Sequence, residues 1–260
     1  EARWLAENGV TELVVVAQDT TRYGEDIYGK SMLPELLTAL CEIDGFKWIR
    51  TLYCYPERIT DELLDVIAKE DKLVKYLDMP IQHCNRNILK RMNRHGDRET
   101  LTALIKKIRE KIPNVTLRTT LITGFPGETE EQFEELCEFV KEIRFERLGC
   151  FAYSPEEGTP AEKFEDQVPL KDRERRAEII MEEQMIISDS FNEAALDSEV
   201  EVVCEGFDRY AECYYGRSQA DAPEIDGKIF FLSEDKVRVG EYVKVKIDDT
   251  MDYDLIGSKM

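Results

Sequence analysis

Along the first 155 residues, short apolar runs alternate with stretches that are apolar at every third or fourth position. The runs TELVVVAQD, WIRTLYCYP, YLDMPIQ, TLRTTLITGF and RLGCFAYSP predict five strands. They are apolar nearly throughout, as strands are when both faces of a sheet are covered. Between them, residues 31–43 place Leu33, Leu36, Leu37 and Leu40 at helical spacing, and TDELLDVIAKE, RNILKRMNR, RETLTALIKKIREKI and TEEQFEELCEFVKEIR predict further helices. Thr60 is an expected N-cap, and Thr129 with Gln132 an expected capping box. Repeated strand–helix alternation implies βαβ units, a parallel sheet and right-handed crossovers. A long helix is expected over 171–196. After Ser198 the pattern changes to EVEVVCEG, AECYYGRS, GKIFFLS, EYVKVKI and YDLIGSKM. Five short strands in about 60 residues predict a small antiparallel β-barrel of OB-like type. The expected fold class is therefore α/β, a partial parallel (β/α)6-type barrel over 1–196 followed by a β-barrel over 197–260. The opening EARWLAENG resembles the last turns of a helix, closed by Gly9 but uncapped at its start. Residues upstream, including a first strand, are expected to be missing.

In parallel α/β barrels, function collects where the strands end. Here those ends are AQDTTRYG, CYPERI, PIQHCN, TGFPGET and AYSPEEGTPA, all with polar residues, Gly or Pro. In LITGFPGETEEQF, Gly124 and Gly127 allow an elbow, and Pro126 fixes φ between them. Such an elbow either presents bare main chain to a ligand or only makes a tight turn. No Gly-Lys-Ser/Thr follows it, GxGxxG is absent, and no basic residue is near it in sequence, which argues against a phosphate site. Arg118, flanked by apolar positions, needs an anionic partner. A neighbouring strand's acid is favoured slightly over a ligand carboxylate. The acidic face of residues 128–142 is expected to be solvated surface.

The 260 residues carry 55 acids against 35 bases, net −20, with 42% apolar and 9% aromatic content. That balance opposes phosphate binding and suits a basic protein partner. No apolar run approaches the ~20 residues a bilayer needs, and no signal peptide opens the chain. Seven cysteines, at 41, 54, 84, 137, 150, 204 and 213, include no CxxC or CxxxC pair. They are expected to be reduced core residues in a cytoplasmic protein, and no metal ligand is assigned among them.

AQDTTRYG, PIQHCNRNILKRMNR, TTLITGFPGETEEQF and FAYSPEEGTPA, in that order, resemble the methylthiotransferases, a branch of the radical S-adenosylmethionine (SAM) enzymes. The terminal barrel looks like their TRAM domain. Its ECYYGRSQADAPEIDGKIF is similar to the RimO branch, which modifies an aspartate of ribosomal protein S-twelve. The resemblance implies SAM and two [4Fe-4S] clusters as cofactors of the full-length enzyme, with cluster ligands outside this chain, because CxxxCxxC is absent. It implies that sulfur arrives by way of the second cluster and that another SAM gives the methyl group. It implies transfer to the aspartate β-carbon, the ribosomal protein or small subunit as partner, and a monomer without direct nucleic-acid binding. This chain alone is expected to be inactive.

By the same resemblance, Gly124, Phe125 and Gly127 would lie along the adenine. Gln18 and Asp19 would meet the methionine amine, where a carboxylate opposes an ammonium. Gln82 and His83 would meet the ribose, Arg118 the SAM carboxylate, and Tyr153 would close the adenine side with Ser154 and Pro155. Arg217 and Asp221 would dock the ribosomal protein. The alternatives are a tRNA-adenosine methylthiotransferase of the MiaB type, or a docking-only fragment.

Overall fold

Each apolar run becomes a strand, and each strand is followed by at least one helix. The computed structural model describes residues 1–260. Its first five strands are β1 (Glu12–Val15), β2 (Trp48–Thr51), β3 (Tyr76–Asp78), β4 (Thr116–Thr123) and β5 (Arg147–Ala152). The helices are α1 (Ala2–Glu7), α2 (Glu25–Tyr28), α3 (Leu33–Cys41), α4 (Asp61–Lys69), α5 (Arg86–Arg91), α6 (Arg98–Lys111), α7 (Glu130–Ile143) and α8 (Leu170–Ala195). Thr60 caps α4, and Thr129 with Gln132 closes a capping box on α7. These caps satisfy N–H groups that a helix start leaves orphaned.

All five strands are parallel and lie side by side in chain order, β1 with β2 and β3-β4-β5 as a second ladder. The seam between the ladders is held by a parallel bridge, Ile49 to Leu73, and by the Cys54 N–H donating to the Asp78 carbonyl at 2.9 Å. One sheet face carries Ile49, Leu77, Leu117, Leu121 and Leu148 into the main core, where they meet Leu64, Ile105, Phe139 and Val140 of the helices. Burying each such side chain is worth about 1.5–3 kcal/mol. Alternation along a strand turns the neighbouring residues to the opposite face. That inner face is unusually polar: Arg50, Asp78, Arg118 and Arg147 line it beside Trp48 and Tyr76.

The C-terminal strands are β6 (Glu199–Asp208), β7 (Cys213–Arg217), β8 (Ile229–Leu232), β9 (Tyr242–Met251) and β10 (Asp254–Lys259), closed as β10-β8-β7-β6-β9. One pairing, β8 with β10, is parallel, where an antiparallel barrel was expected throughout. The barrel has its own core of Val202, Cys204, Ile229, Phe231, Val243, Val245 and Ile247 with Val237. It sits against the N-terminal ends of the parallel strands. Trp48, Val74 and Tyr76 at those ends, with Leu52 just past β2, bury Val203 and Ala222 of the barrel. Helix α8 connects the two bodies, packing along β5 and ending at β6.

Candidate cofactor site

Because the parallel strands lie in register order, their C-terminal ends form one rim. Gln18 and Asp19 follow β1, Tyr53 follows β2, Gln82 and His83 follow β3, the glycine elbow follows β4, and Tyr153 follows β5. Two rim residues other than glycine hold the left-handed backbone: Tyr53 at φ +60° and Gln82 at φ +67°. Such conformations cost about 1–3 kcal/mol and cluster where a ligand is gripped.

Gln82 and Phe125 share a cavity of about 360 Å³ with Ile122, Met92, Ala161 and Phe164. Gln82 Oε1 is buried with no partner, a free acceptor that suits a hydroxyl-bearing ligand. Phe125 meets Tyr153 edge-on at 5.1 Å and Phe164 at 6.3 Å, giving the cavity an aromatic wall. The Tyr153 hydroxyl is also buried without a partner, and burial raises its pKa. Asp19 lies further along the rim and does not line this cavity. Its Oδ1 accepts the Thr21 N–H at 3.0 Å. Its Oδ2 makes no hydrogen bond and has Arg58 Nε at 3.6 Å, which offsets part of its charge. Gln18 is exposed and does not line this cavity.

Several expectations are corrected. The two glycines face protein rather than open space. A Cβ on Gly124 would lie 2.4 Å from Arg173 Cγ and 2.9 Å from Arg173 Cα of α8, and one on Gly127 would lie 2.6 Å from Asp166. Their N–H groups are also taken, Gly124 by Glu128 Oε2 at 3.0 Å and Gly127 by the Asp166 carbonyl at 2.8 Å. The elbow therefore offers Phe125, and not glycine N–H groups, to a ligand. His83 is fully buried and turned inward: its Nδ1 accepts the Asn85 N–H at 2.9 Å, and its Nε2 lies 3.4 Å from Glu128 Oε2. It is a turn residue rather than a ribose reader. Arg118 pairs with the neighbouring strand's Asp78 at 2.8 Å. Its guanidinium is taken up by that pair on the inner face of the sheet, one carboxylate below the Tyr53 peptide, so it serves as the counter-charge of Asp78.

Arg217 and Asp221 are buried, so they cannot present a docking surface. Arg217 holds Glu12 of β1 at 2.7 Å and Glu205 at 2.6 Å, and Asp221 holds Arg147 of β5 at 2.7 Å. Glu128 is not surface either: its side chain is fully buried and takes Arg176 of α8 at 2.8 Å. Basic residues do approach the elbow, since Arg91, Arg173 and Arg176 arrive from other elements. All three are occupied, Arg91 by Asp166 at 2.6 Å, Arg176 by Glu128, and Arg173 by the carbonyls of Val168 and Tyr153.

Sequence reasoning missed Asp78, Tyr53, Glu128, Arg173, Arg176 and Asp226. An acid inside the apolar run YLDMPIQ was the only visible signal, for Asp78. The cysteines behave as core thiols. Burial pushes Cys54 and Cys150 up to about 12 and Cys137 to about 11. No group of three His, Cys, Asp or Glu side chains is placed to hold a metal. The residues of this chain thus fit a nucleoside at Gln82 and Phe125 but do not form an iron–sulfur site.

Parallel strands in chain order, with a ligand-sized cavity at their C-terminal ends, match a defined class. The radical SAM superfamily matches residues 1–140, and the TRAM domain matches residues 198–259. The chain belongs to the radical SAM superfamily, whose cofactors are SAM and a four-iron–four-sulfur cluster. It is 51% identical over 258 residues to the ribosomal protein uS12 methylthiotransferase RimO of Lachnoclostridium phytofermentans. It is 49% and 50% identical, over 257 residues each, to those of Clostridium tetani and Clostridioides difficile. The matches cover 99% of this chain and 57–59% of those proteins. Among solved structures, the coproporphyrinogen III oxidase HemN of Escherichia coli, a radical SAM enzyme, superposes with a TM-score of 0.54 at 20% identity, over 74% of this chain and 44% of that one. That likeness supports the fold.

Proposed function

We propose that this chain is the SAM-binding and TRAM part of a methylthiotransferase that modifies the β-carbon of an aspartate in a small-subunit ribosomal protein. The observation that carries this reading is near-complete alignment, at about half identity, with proteins named for that activity. The rim agrees with it. Gln82 Oε1 would accept from a ribose hydroxyl, Phe125 and Tyr153 would flank the adenine, and the free Asp19 oxygen would face the methionine amine. Gln18 is assigned only a place on this rim. In this superfamily bound SAM supplies the hydrogen-abstracting radical, and in the methylthiotransferase branch another SAM would supply the methyl group. The chain's own contribution is to orient SAM and to keep water from it.

The charge agrees as well. Residues 198–260 hold 15 acids and 8 bases, net −7. A cleft of about 720 Å³ between β5 and the small barrel carries Glu224, Asp226, Asp252 and Asp254 beside Phe151 and Tyr253, against Arg118 and Arg147, which are paired with Asp78 and Asp221. A basic polypeptide suits such walls better than RNA does. We assign residues 1–196 to the SAM-binding unit and 197–260 to the TRAM unit. The protein acts as a cytoplasmic monomer in this reading. No helix is long and apolar enough to cross a membrane.

The test is anaerobic reconstitution of the full-length natural protein, turnover with SAM and small ribosomal subunits, and mass spectrometry of protein and RNA. A methylthio group on one ribosomal aspartate is the expected product. Modification of tRNA adenosine instead, or no product with a loaded cluster, would overturn the reading.

A further inference from the structure

A chain of polar contacts descends from the rim through the inner face of the sheet, and Asp78 is its middle link. This carboxylate is 1% exposed, and both oxygens are engaged. Oδ1 accepts from Arg118 Nη1 at 2.8 Å, and Oδ2 accepts the backbone N–H of Tyr53 at 3.0 Å. Tyr53 is a rim residue held at φ +60°, where a side-chain-bearing residue is strained. Its carbonyl accepts twice from Thr20, from the N–H at 3.1 Å and from the hydroxyl at 3.1 Å. Thr20 directly follows Asp19, whose Oδ1 caps the turn through Thr21. On the lower side, Arg118 Nε faces Asp226 Oδ1 of the TRAM unit at 3.6 Å, and Asp226 Oδ2 accepts from the Tyr76 hydroxyl at 2.6 Å.

A strained peptide persists only where its surroundings over-determine it. The constraint on Tyr53 is visible. If its N–H lost the Asp78 acceptor, the peptide would leave a donor buried and unpaired, and rotation to an extended conformation would relieve both faults. Rotation would also swing the Tyr53 carbonyl away from Thr20. The Thr20–Asp19 turn would then lose two of the three bonds that anchor Thr20 to the end of β2, keeping only the one from its hydroxyl to the Leu52 carbonyl at 2.9 Å.

We propose that Asp78 is a positioning residue for the cofactor site: it holds the Tyr53 peptide in its left-handed conformation and thereby fixes the Thr20–Asp19 turn toward the SAM amine, with Arg118 as its buried counter-charge. The inference rests on the proposed SAM-binding rim. It also gives Arg118 a role at a distance from the ligand.

The experiment measures SAM affinity by equilibrium dialysis in the reconstituted full-length natural protein. It also measures hydrogen exchange of residues 19–24 without SAM. Asp78→Ala is expected to weaken SAM binding about tenfold, which corresponds to release of one strained peptide, and to speed exchange in the turn. Adding Tyr53→Gly to that variant is expected to recover most of the affinity, because glycine adopts this backbone freely. A residue that merely supported the fold would not be rescued at position 53. Should Asp78→Ala fail to fold, the pair Tyr53→Val and Tyr53→Gly decides alone. The branched side chain resists positive φ, so valine should bind SAM about tenfold more weakly than glycine. Parental affinity and exchange in Asp78→Ala, no recovery in the double variant, or equal affinity of the valine and glycine variants would overturn the proposal. A parent protein without SAM affinity would overturn the proposed function as well, whereas a binding parent with indifferent variants overturns this inference alone.

Discussion

Glu128 shows how one side chain can organise a loop from inside. Its two oxygens join the Gly124 N–H to Arg176, and Arg176 also reaches the Glu128 carbonyl at 3.1 Å and Glu130 at 2.9 Å. Both partners of the ion pair are almost wholly buried. Removing one member of such a pair strands the other, so Glu128→Ala should cost about 3–5 kcal/mol by chemical denaturation. Replacing both, as Glu128→Leu with Arg176→Met, should cost less than the single change. A Glu128→Ala loss under about 1 kcal/mol would show the pair to be exposed in solution. The sequence could not reveal this residue. Glu128 stands immediately before six further acids in the next fourteen positions, and nothing in that run distinguishes the one that faces inward. The cysteines, by contrast, were legible from their apolar surroundings. Their burial carries a pH consequence. Cys54 and Cys150 ionise near 12 when folded and near 9 when unfolded. The stabilisation is complete below pH 9 and falls as pH rises from 9 toward 12, because only the unfolded thiols lose protons there. Under reducing conditions, the urea midpoint should therefore fall more steeply above pH 9 in the parent than in a Cys54→Ala variant.

Helix α8 is the element on which the elbow is built. Its first turns bring Arg173 against Gly124, and the Thr123 hydroxyl donates to the Arg173 carbonyl at 3.2 Å. Arg173 Nη1 donates to the Tyr153 carbonyl at 3.1 Å, so one residue ties the ends of β4 and β5 together. Gly124 is needed twice here, once for φ +70° and once because a Cβ would meet the helix backbone. Gly124→Ala should destabilise the fold by about 1–3 kcal/mol in thermal unfolding, since the obstructing atoms include a helix Cα that cannot swing aside. An unchanged Tm would mean that α8 stands further off. The hydrophobic pattern located all five parallel strands, every helix but the short α2, and the α7 capping box, because each depends on residues close in sequence. The reason for the glycines was not legible. Their neighbours, Arg173 and Asp166, lie 49 and 39 residues downstream, and a close approach of that kind leaves no periodic trace.

At the scale of the molecule, the two bodies are joined by charge as much as by apolar surface. Arg50 is completely buried between Glu12, at 3.1 Å, and the Gln219 carbonyl of the small barrel, at 2.9 Å. Arg217 returns to Glu12 from the other side. These partners are separated by as many as 205 residues, which is why each body could be foreseen and their docking could not. The TRAM unit is consequently a floor for the parallel sheet rather than a tethered appendage. That arrangement makes opposite demands on buried and surface pairs. Lys246 and Asp197 meet at 2.8 Å, but both are well exposed, so Lys246→Ala should change stability by no more than about 0.5 kcal/mol. Arg217→Ala removes a guanidinium that serves two carboxylates inside the joint. It leaves Glu205 unpaired and Glu12 dependent on Arg50 alone, and should cost about 3–5 kcal/mol. The loss falls on the joint and not on either core, so calorimetry should show one transition for the parent and two for the variant, with the small barrel melting separately. One cooperative transition shifted as a whole would instead mean that the cores of Val203, Ala222, Trp48 and Tyr76 hold the bodies together without the ion pairs. Equal, small effects of Arg217→Ala and Lys246→Ala would show that the joint is open to water.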